Sequence, residues 1–123
     1  MNFWFLAATL TAGFCCLMHI FLGGRAAIIP LLAIEGLGKV SKYTNYYCWH
    51  MVTIVLAAQT LAFAMVSQTP GDRSLAIFAT GGAIAFMLWS LGMIAAFKLR
   101  LMNYPQWLLF LPTSLLGLAG LYL

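Results

Sequence analysis

Charge is the scarcest property of this chain. Of its 123 residues two are carboxylates, Glu35 and Asp72, and six are lysine or arginine, so 7% of positions are charged. Soluble domains carry about 25%. So few charges cannot cover a water-facing surface, and a composition that is 64% hydrophobic calls for lipid as the main solvent. The two carboxylates fall in connections expected on opposite sides of the membrane, which excludes acid–base chemistry by a carboxylate pair. Cysteine is also sparse and odd in number: Cys15, Cys16 and Cys48. A bridge between neighbouring cysteines strains the short ring it closes, so free thiols are expected rather than a disulfide framework. No Cys-x-x-Cys or His-x-x-x-His spacing occurs. The N-terminal stretch lacks a basic n-region and an Ala-x-Ala site before Gly23-Gly24, so the first apolar run is expected to stay in the mature protein.

Long apolar runs are what the chain has in abundance. Four of them, roughly residues 3–23, 46–67, 75–97 and 106–123, reach the length that a membrane-crossing helix needs. Lipid admits helices or closed barrels, and runs this uniformly apolar suit helices rather than alternating strands. The expected fold is an all-α integral membrane protein, one transmembrane domain over residues 1–123 arranged as a four-helix up-and-down bundle. Residues 26–38, "AAIIPLLAIEGLG", are apolar but too short to span, and carry Pro30 and Glu35. They are expected to form a short interfacial helix between helices 1 and 2, with an extension of the first span as the alternative.

Basic residues then orient the bundle. Arg25, Lys39 and Lys42 lie in the first connection and Lys98 and Arg100 in the third, against Arg73 alone in the second. The positive-inside tendency places the first and third connections in the cytoplasm and both termini outside, in a bacterial inner (plasma) membrane. Tyr43, Tyr46, Tyr47, Trp49, Tyr104 and Trp107 would form the inner aromatic belt, and Phe3, Trp4, Phe5 and Tyr122 the outer one. Small residues mark helix contacts in lipid. Such stripes occur in every span: Ala8, Ala12, Cys15 or Cys16, His19 and Gly23; Ala57, Ala58, Ala62 and Ala64; Gly81, Ala85, Gly92 and Ala96; Thr113, Gly117 and Gly120.

The candidate site comes from the topology. Helix 1 runs inward to His19 and helix 2 runs outward from His50, so the two histidines fall at similar depth on consecutive antiparallel helices. Facing imidazoles can hold a haem, and Cys15, Cys16 and Cys48 extend the donor set toward a transition metal such as zinc or copper. The plainer alternative pairs each histidine with a carbonyl or hydroxyl and packs the cysteines as small apolar residues. Gln59, near the centre of helix 2, is expected to make an interhelical hydrogen bond. Arg25, Trp49 and Trp107 are read as lipid and interface anchors.

Partial resemblances to known families break at specific residues. The vicinal pair Cys15-Cys16 resembles that of the bacterial mercuric-ion transport proteins, but of a second cysteine pair such as theirs only Cys48 remains, so the relay of thiols is broken. Size and span number resemble the small multidrug exporters, whose first-helix glutamate has no counterpart here. Membrane histidines are also a feature of succinate dehydrogenase anchors, which have three spans. The chain is assigned to no family. With no catalytic constellation, the leading expectation is a non-enzymatic accessory or assembly subunit of a larger membrane complex. Its partners would be membrane lipid and other membrane subunits or a second copy, not nucleic acid. A haem- or metal-binding protein using His19 and His50 is the alternative, and a small transporter or channel lined by Gln59, Thr53 and Thr60 the third.

Overall fold

A computed structural model describes residues 1–69 and 71–123; Pro70, inside the second predicted break, lies outside them. Four helices follow one another: α1 (Phe3–Ala33), α2 (Lys39–Gln68), α3 (Arg73–Phe97) and α4 (Gln106–Tyr122). A single 3-10 turn, Leu101–Asn103, precedes α4, and no strand occurs among the described residues. The helices α1, α2 and α3 are long and apolar enough to cross a membrane, and α4 is an apolar helix of 17 residues. They pack as a ring: α1 lies between α2 and α4, and α3 packs on α4 and, less extensively, on α2.

Local chemistry explains the ends. Asn2 caps α1, its side-chain oxygen accepting from the amides of Trp4 and Phe5. Asp72 caps α3 by accepting from the amide of Leu75. α3 stops at Lys98, which adopts the left-handed conformation at φ 52°, and the amide of Leu99 bonds back to the carbonyl of Ile94. Pro105 precedes α4, and its carbonyl accepts from the amides of Leu108 and Leu109. α2 starts at Lys39, well before the apolar run at 46, because nothing in "KVSKYTN" interrupts a helix.

The segment expected to be a separate interfacial helix is instead part of α1. Residues His19–Ile28 form a π-helix and Ile29–Ala33 return to α-helical geometry, so the rod continues through Arg25. Pro30 has no amide to donate, and its ring would crowd the carbonyl four residues earlier. The wider register just before it, in which the Ile29 amide bonds to Gly24 five residues back, carries the helix past that obstacle. Lys42 closes the far end, its Nζ donating to the carbonyls of Leu32 (3.2 Å) and Ile34 (2.6 Å). A cation at this terminus also complements the helix dipole.

The tightest packing is at the end where the termini meet. Asn2 joins three helices there: its amide donates to the Ser67 carbonyl (2.9 Å) and its side-chain Nδ2 to the Gly120 carbonyl (3.2 Å). Phe5, Ala8 and Ala12 of α1 pack with Ala62, Phe63 and Val66 of α2 and with Ala76 and Ala79 of α3. Phe5, expected in the outer aromatic belt, is 3% exposed and sits 6.4 Å from the ring of Phe63. Gly120 makes room for it, since a Cβ there would lie 2.5 Å from the phenyl ring.

The small-residue stripes divide. Ala8, Ala12 and Cys15 of α1 and Thr113 and Gly117 of α4 are buried, as their spacing implies. On α2 only Ala62 of the stripe is buried; Ala57 and Ala58 face out, because Leu56, Gln59, Phe63 and Val66 form the inner face. On α3 the stripe faces away from the bundle altogether. Ala76, Ala79, Thr80 and Ala83 are buried, whereas Gly81, Ala85, Gly92 and Ala96 are exposed on the opposite side. Thr80 explains this choice, since its side chain fills the notch left by Gly117 on α4. Gln59 makes the expected interhelical bond, Nε2 donating to the Ala79 carbonyl at 2.9 Å, with Gly82 leaving space for its amide.

Candidate functional site

On α2 the residues Trp49, Leu56 and Phe63 recur at intervals of seven and lie on one face, the face turned toward α1. On α1 the matching positions are Phe5, Ala12 and His19. His19 therefore meets Trp49, and the two rings stack with centroids 4.4 Å apart and planes 21° apart. His50 is one residue, about 100° of helix, off that face. It is exposed, with its ring edge-on to Tyr46 (4.5 Å) and to Trp49 (5.1 Å). The partner opposite His19 is the indole rather than the second imidazole.

Hydrogen bonds fix the His19 ring. Its Nε2 lies 3.2 Å from the Trp49 carbonyl and 3.0 Å from Thr53 Oγ1, while Thr53 Oγ1 lies 3.2 Å from that same carbonyl. A carbonyl only accepts, so Nε2 carries the proton and donates, and the threonine hydroxyl donates to the Trp49 carbonyl. In the neutral ring Nδ1 is left as an acceptor. It points toward Gly23, where a Cβ would lie 3.9 Å from Nδ1 and 3.8 Å from Trp49 Nε1. Gly24 lies further along the same edge of the indole, against Cζ2 and Cη2 of its benzene ring.

The π-helix begins at His19 and ends at Ile28. With bonds spanning five residues, side chains four to five apart stack on one side. That register keeps His19, Gly23 and Gly24, and the buried Ile28 toward α2 over nine residues, where an α-helix would have turned Ile28 away. Mid-helix π segments are frequent at functional sites.

The thiols do not join this cluster. Cys15 is buried and its Sγ donates to the Leu109 carbonyl on α4 at 3.0 Å; Cys16 is half-buried and Cys48 exposed. Among the described residues no three of histidine, cysteine, aspartate and glutamate converge as a metal-ligand set. The polar side chains of the channel reading also point elsewhere. Thr53 and Thr60 donate to the carbonyls four residues back in their own helix, and Gln59 is committed to Ala79. Arg25 is exposed on the π segment. Trp107 is half-buried and donates from Nε1 to the Leu101 carbonyl at 3.2 Å, holding the turn before α4. The expectations from sequence did not include Asn2, and they gave Thr53 to a channel lining and Trp49 to the interface rather than to this site. The heptad Trp49–Leu56–Phe63 was the available signal for the last two. No known protein family, curated protein or solved structure matches the chain.

Proposed function

We propose that this chain is a non-enzymatic accessory or assembly subunit of a larger membrane complex. In this reading all four helices cross the bilayer, with both termini outside and the α1–α2 and α3–α4 connections in the cytoplasm of a bacterial inner membrane. The observation that carries the reading is the outward stripe on α3. Gly81, Ala85, Gly92 and Ala96 lie on one side of the helix, pointing away from the bundle. Lipid tails pack against large side chains as well as against small ones, so a shallow stripe gains most from another helix approaching closely. The stripe borders a groove of about 590 Å³ flanked by Leu88, Trp89, Met93 and Phe97. Trp89, 72% exposed, and Phe78, 78% exposed, supply the apolar contact area beside it.

The test is native mass in mild detergent, compared between the natural chain and Gly92→Leu and Ala96→Leu. Both positions are open, since Gly92 has nothing within 4 Å of an added Cβ and Ala96 is exposed, so the bundle itself should fold unchanged. The expected result is an assembly larger than the monomer that falls to the monomer in both variants. A natural chain that is a stable monomer with no co-purifying subunit would overturn the reading.

A further inference from the structure

Trp49 Nε1 and His19 Nδ1 make no hydrogen bond among the described residues; the ring nitrogens of His50 and the Tyr46 hydroxyl make none either, but those two side chains lie on the far side of the indole from α1 in the edge-on cluster, and only the first two atoms border Gly23. Both are in half-buried side chains, and both border the space where a side chain at Gly23 would stand. One is a fixed donor, because an indole nitrogen only donates, and the other a fixed acceptor, because Nε2 holds the imidazole proton. We infer that His19 and Trp49, converging on Gly23, form a binding site for the hydroxyl group of a membrane-dissolved amphiphile.

The choice of ligand follows from the pair of atoms. A hydroxyl donates once and accepts, so one oxygen satisfies both nitrogens at once. A carboxylate or phosphate would set lone pairs against the lone pair of Nδ1. An ammonium offers the indole nothing to donate to, and an ether or ketone has no proton for Nδ1. The depth selects an amphiphile over a water-soluble alcohol. From Phe3 to His19 the helix rises about 24 Å, against a hydrocarbon core of about 30 Å. That places the niche near the inner boundary of the hydrocarbon, at the level of an amphiphile's polar head. Next to His19 on α1 and to Thr53 on α2, Ile20 and Val52 are exposed apolar side chains.

The geometry supplies its own control. A methyl at Gly23 would be in ordinary van der Waals contact with both rings, at 3.8–3.9 Å, so Gly23→Ala leaves the fold intact while crowding an oxygen held within about 3 Å of both nitrogens. The experiment uses the full chain in micelles, labelled with 15N, and follows the Trp49 indole N–H and His19 Nδ1 resonances. Two probes of equal chain length, a para-alkylphenol and an n-alkanol, are titrated beside their methyl ethers. At least one hydroxyl compound should shift both resonances to saturation, and whichever does so assigns the hydroxyl as phenolic or aliphatic. The methyl ethers, and either probe with Gly23→Ala, should bind about tenfold more weakly or worse. The indole signals of Trp4, Trp89 and Trp107 report that Gly23→Ala is folded. The inference is overturned if neither hydroxyl compound saturates the site, if the ethers match them, or if folded Gly23→Ala binds as tightly.

Discussion

His19 is bonded to both halves of Trp49: its ring lies 4.4 Å from the indole, and its Nε2 donates to the backbone carbonyl of the same residue. A single residue of α2 thus determines both the plane and the tautomer of the imidazole. The lock sits where the π segment starts, on the side of the bundle away from the Phe5 and Phe63 core. It holds α1 to α2 at a level where few other buried side chains do so.

Thr53 completes this lock and can be removed without changing shape. Thr53→Val keeps the volume and deletes the hydroxyl that accepts from His19 Nε2. The remaining bond to the Trp49 carbonyl keeps the imidazole satisfied, so the expected loss is about 1 kcal/mol in unfolding free energy. His19→Phe keeps the stacking and removes both bonds. A double-mutant cycle of the two should give a coupling of about 0.5–1.5 kcal/mol, and additive losses would mean that the 3.0 Å contact contributes nothing.

Glycines at the two ends of the bundle should behave in opposite ways. A Cβ at Gly117 would lie 2.5 Å from Thr80 Oγ1, and one at Gly120 2.5 Å from the Phe5 ring. Gly117→Ala and Gly120→Ala should each cost about 1–3 kcal/mol through overpacking, read by thermal unfolding in detergent. Gly24→Ala adds a methyl 3.8 Å from the Trp49 indole and should be neutral within about 0.5 kcal/mol. Equal losses at all three positions would contradict the close approach of α4 to α3 and α1.

Asn2 carries a third prediction. Its side chain caps α1 and donates to Gly120, while its backbone amide reaches Ser67. Asn2→Ala removes the cap and the tie to α4 and keeps the backbone bond. The expected cost is about 1–2 kcal/mol. Asn2→Asp keeps the cap acceptor and loses only the donor, so it should recover part of that stability. Recovery of none would assign the whole effect to the Gly120 bond.

How far the sequence carried the fold follows from what hydropathy measures. Apolar runs located the helices, and the ends at 68, 73, 97 and 106 lie within two residues of the expected 67, 75, 97 and 106. The start of α2 was missed because Lys39–Asn45 is polar, and hydropathy marks the part of a helix that lipid would cover, not the helix. The π segment was illegible for a different reason. A period of 3.6 residues per turn sets Gly23 on the side of His19 but turns Gly24 and Ile28 away from it, and only the wider register brings those two round. Equal depth set His19 level with His50 but said nothing of rotation about α2, which the Trp49–Leu56–Phe63 heptad decides. The α3 stripe shows the same limit, since small residues mark a contact face without saying whose.

Orientation and span number are open to a direct labelling test. In a background with Cys15, Cys16 and Cys48 replaced by alanine, single cysteines are placed at Ser41, at the start of α2, and at Ser74, at the start of α3. Both positions are exposed, so neither substitution disturbs the packing. The excess of Arg25, Lys39, Lys42, Lys98 and Arg100 over Arg73 predicts which faces inward. A membrane-impermeant maleimide should label Ser74→Cys in intact cells after outer-membrane permeabilisation, and Ser41→Cys only in inverted vesicles. A cysteine replacing Leu123 then reports on α4. With 17 residues at about 1.5 Å each, α4 covers about 26 Å, enough to cross a hydrocarbon core of about 30 Å if flanking residues reach the interfaces. Leu123→Cys should therefore label with Ser74→Cys. Labelling with Ser41→Cys would mean that α4 returns to the inner face, and the bundle would then have three spans.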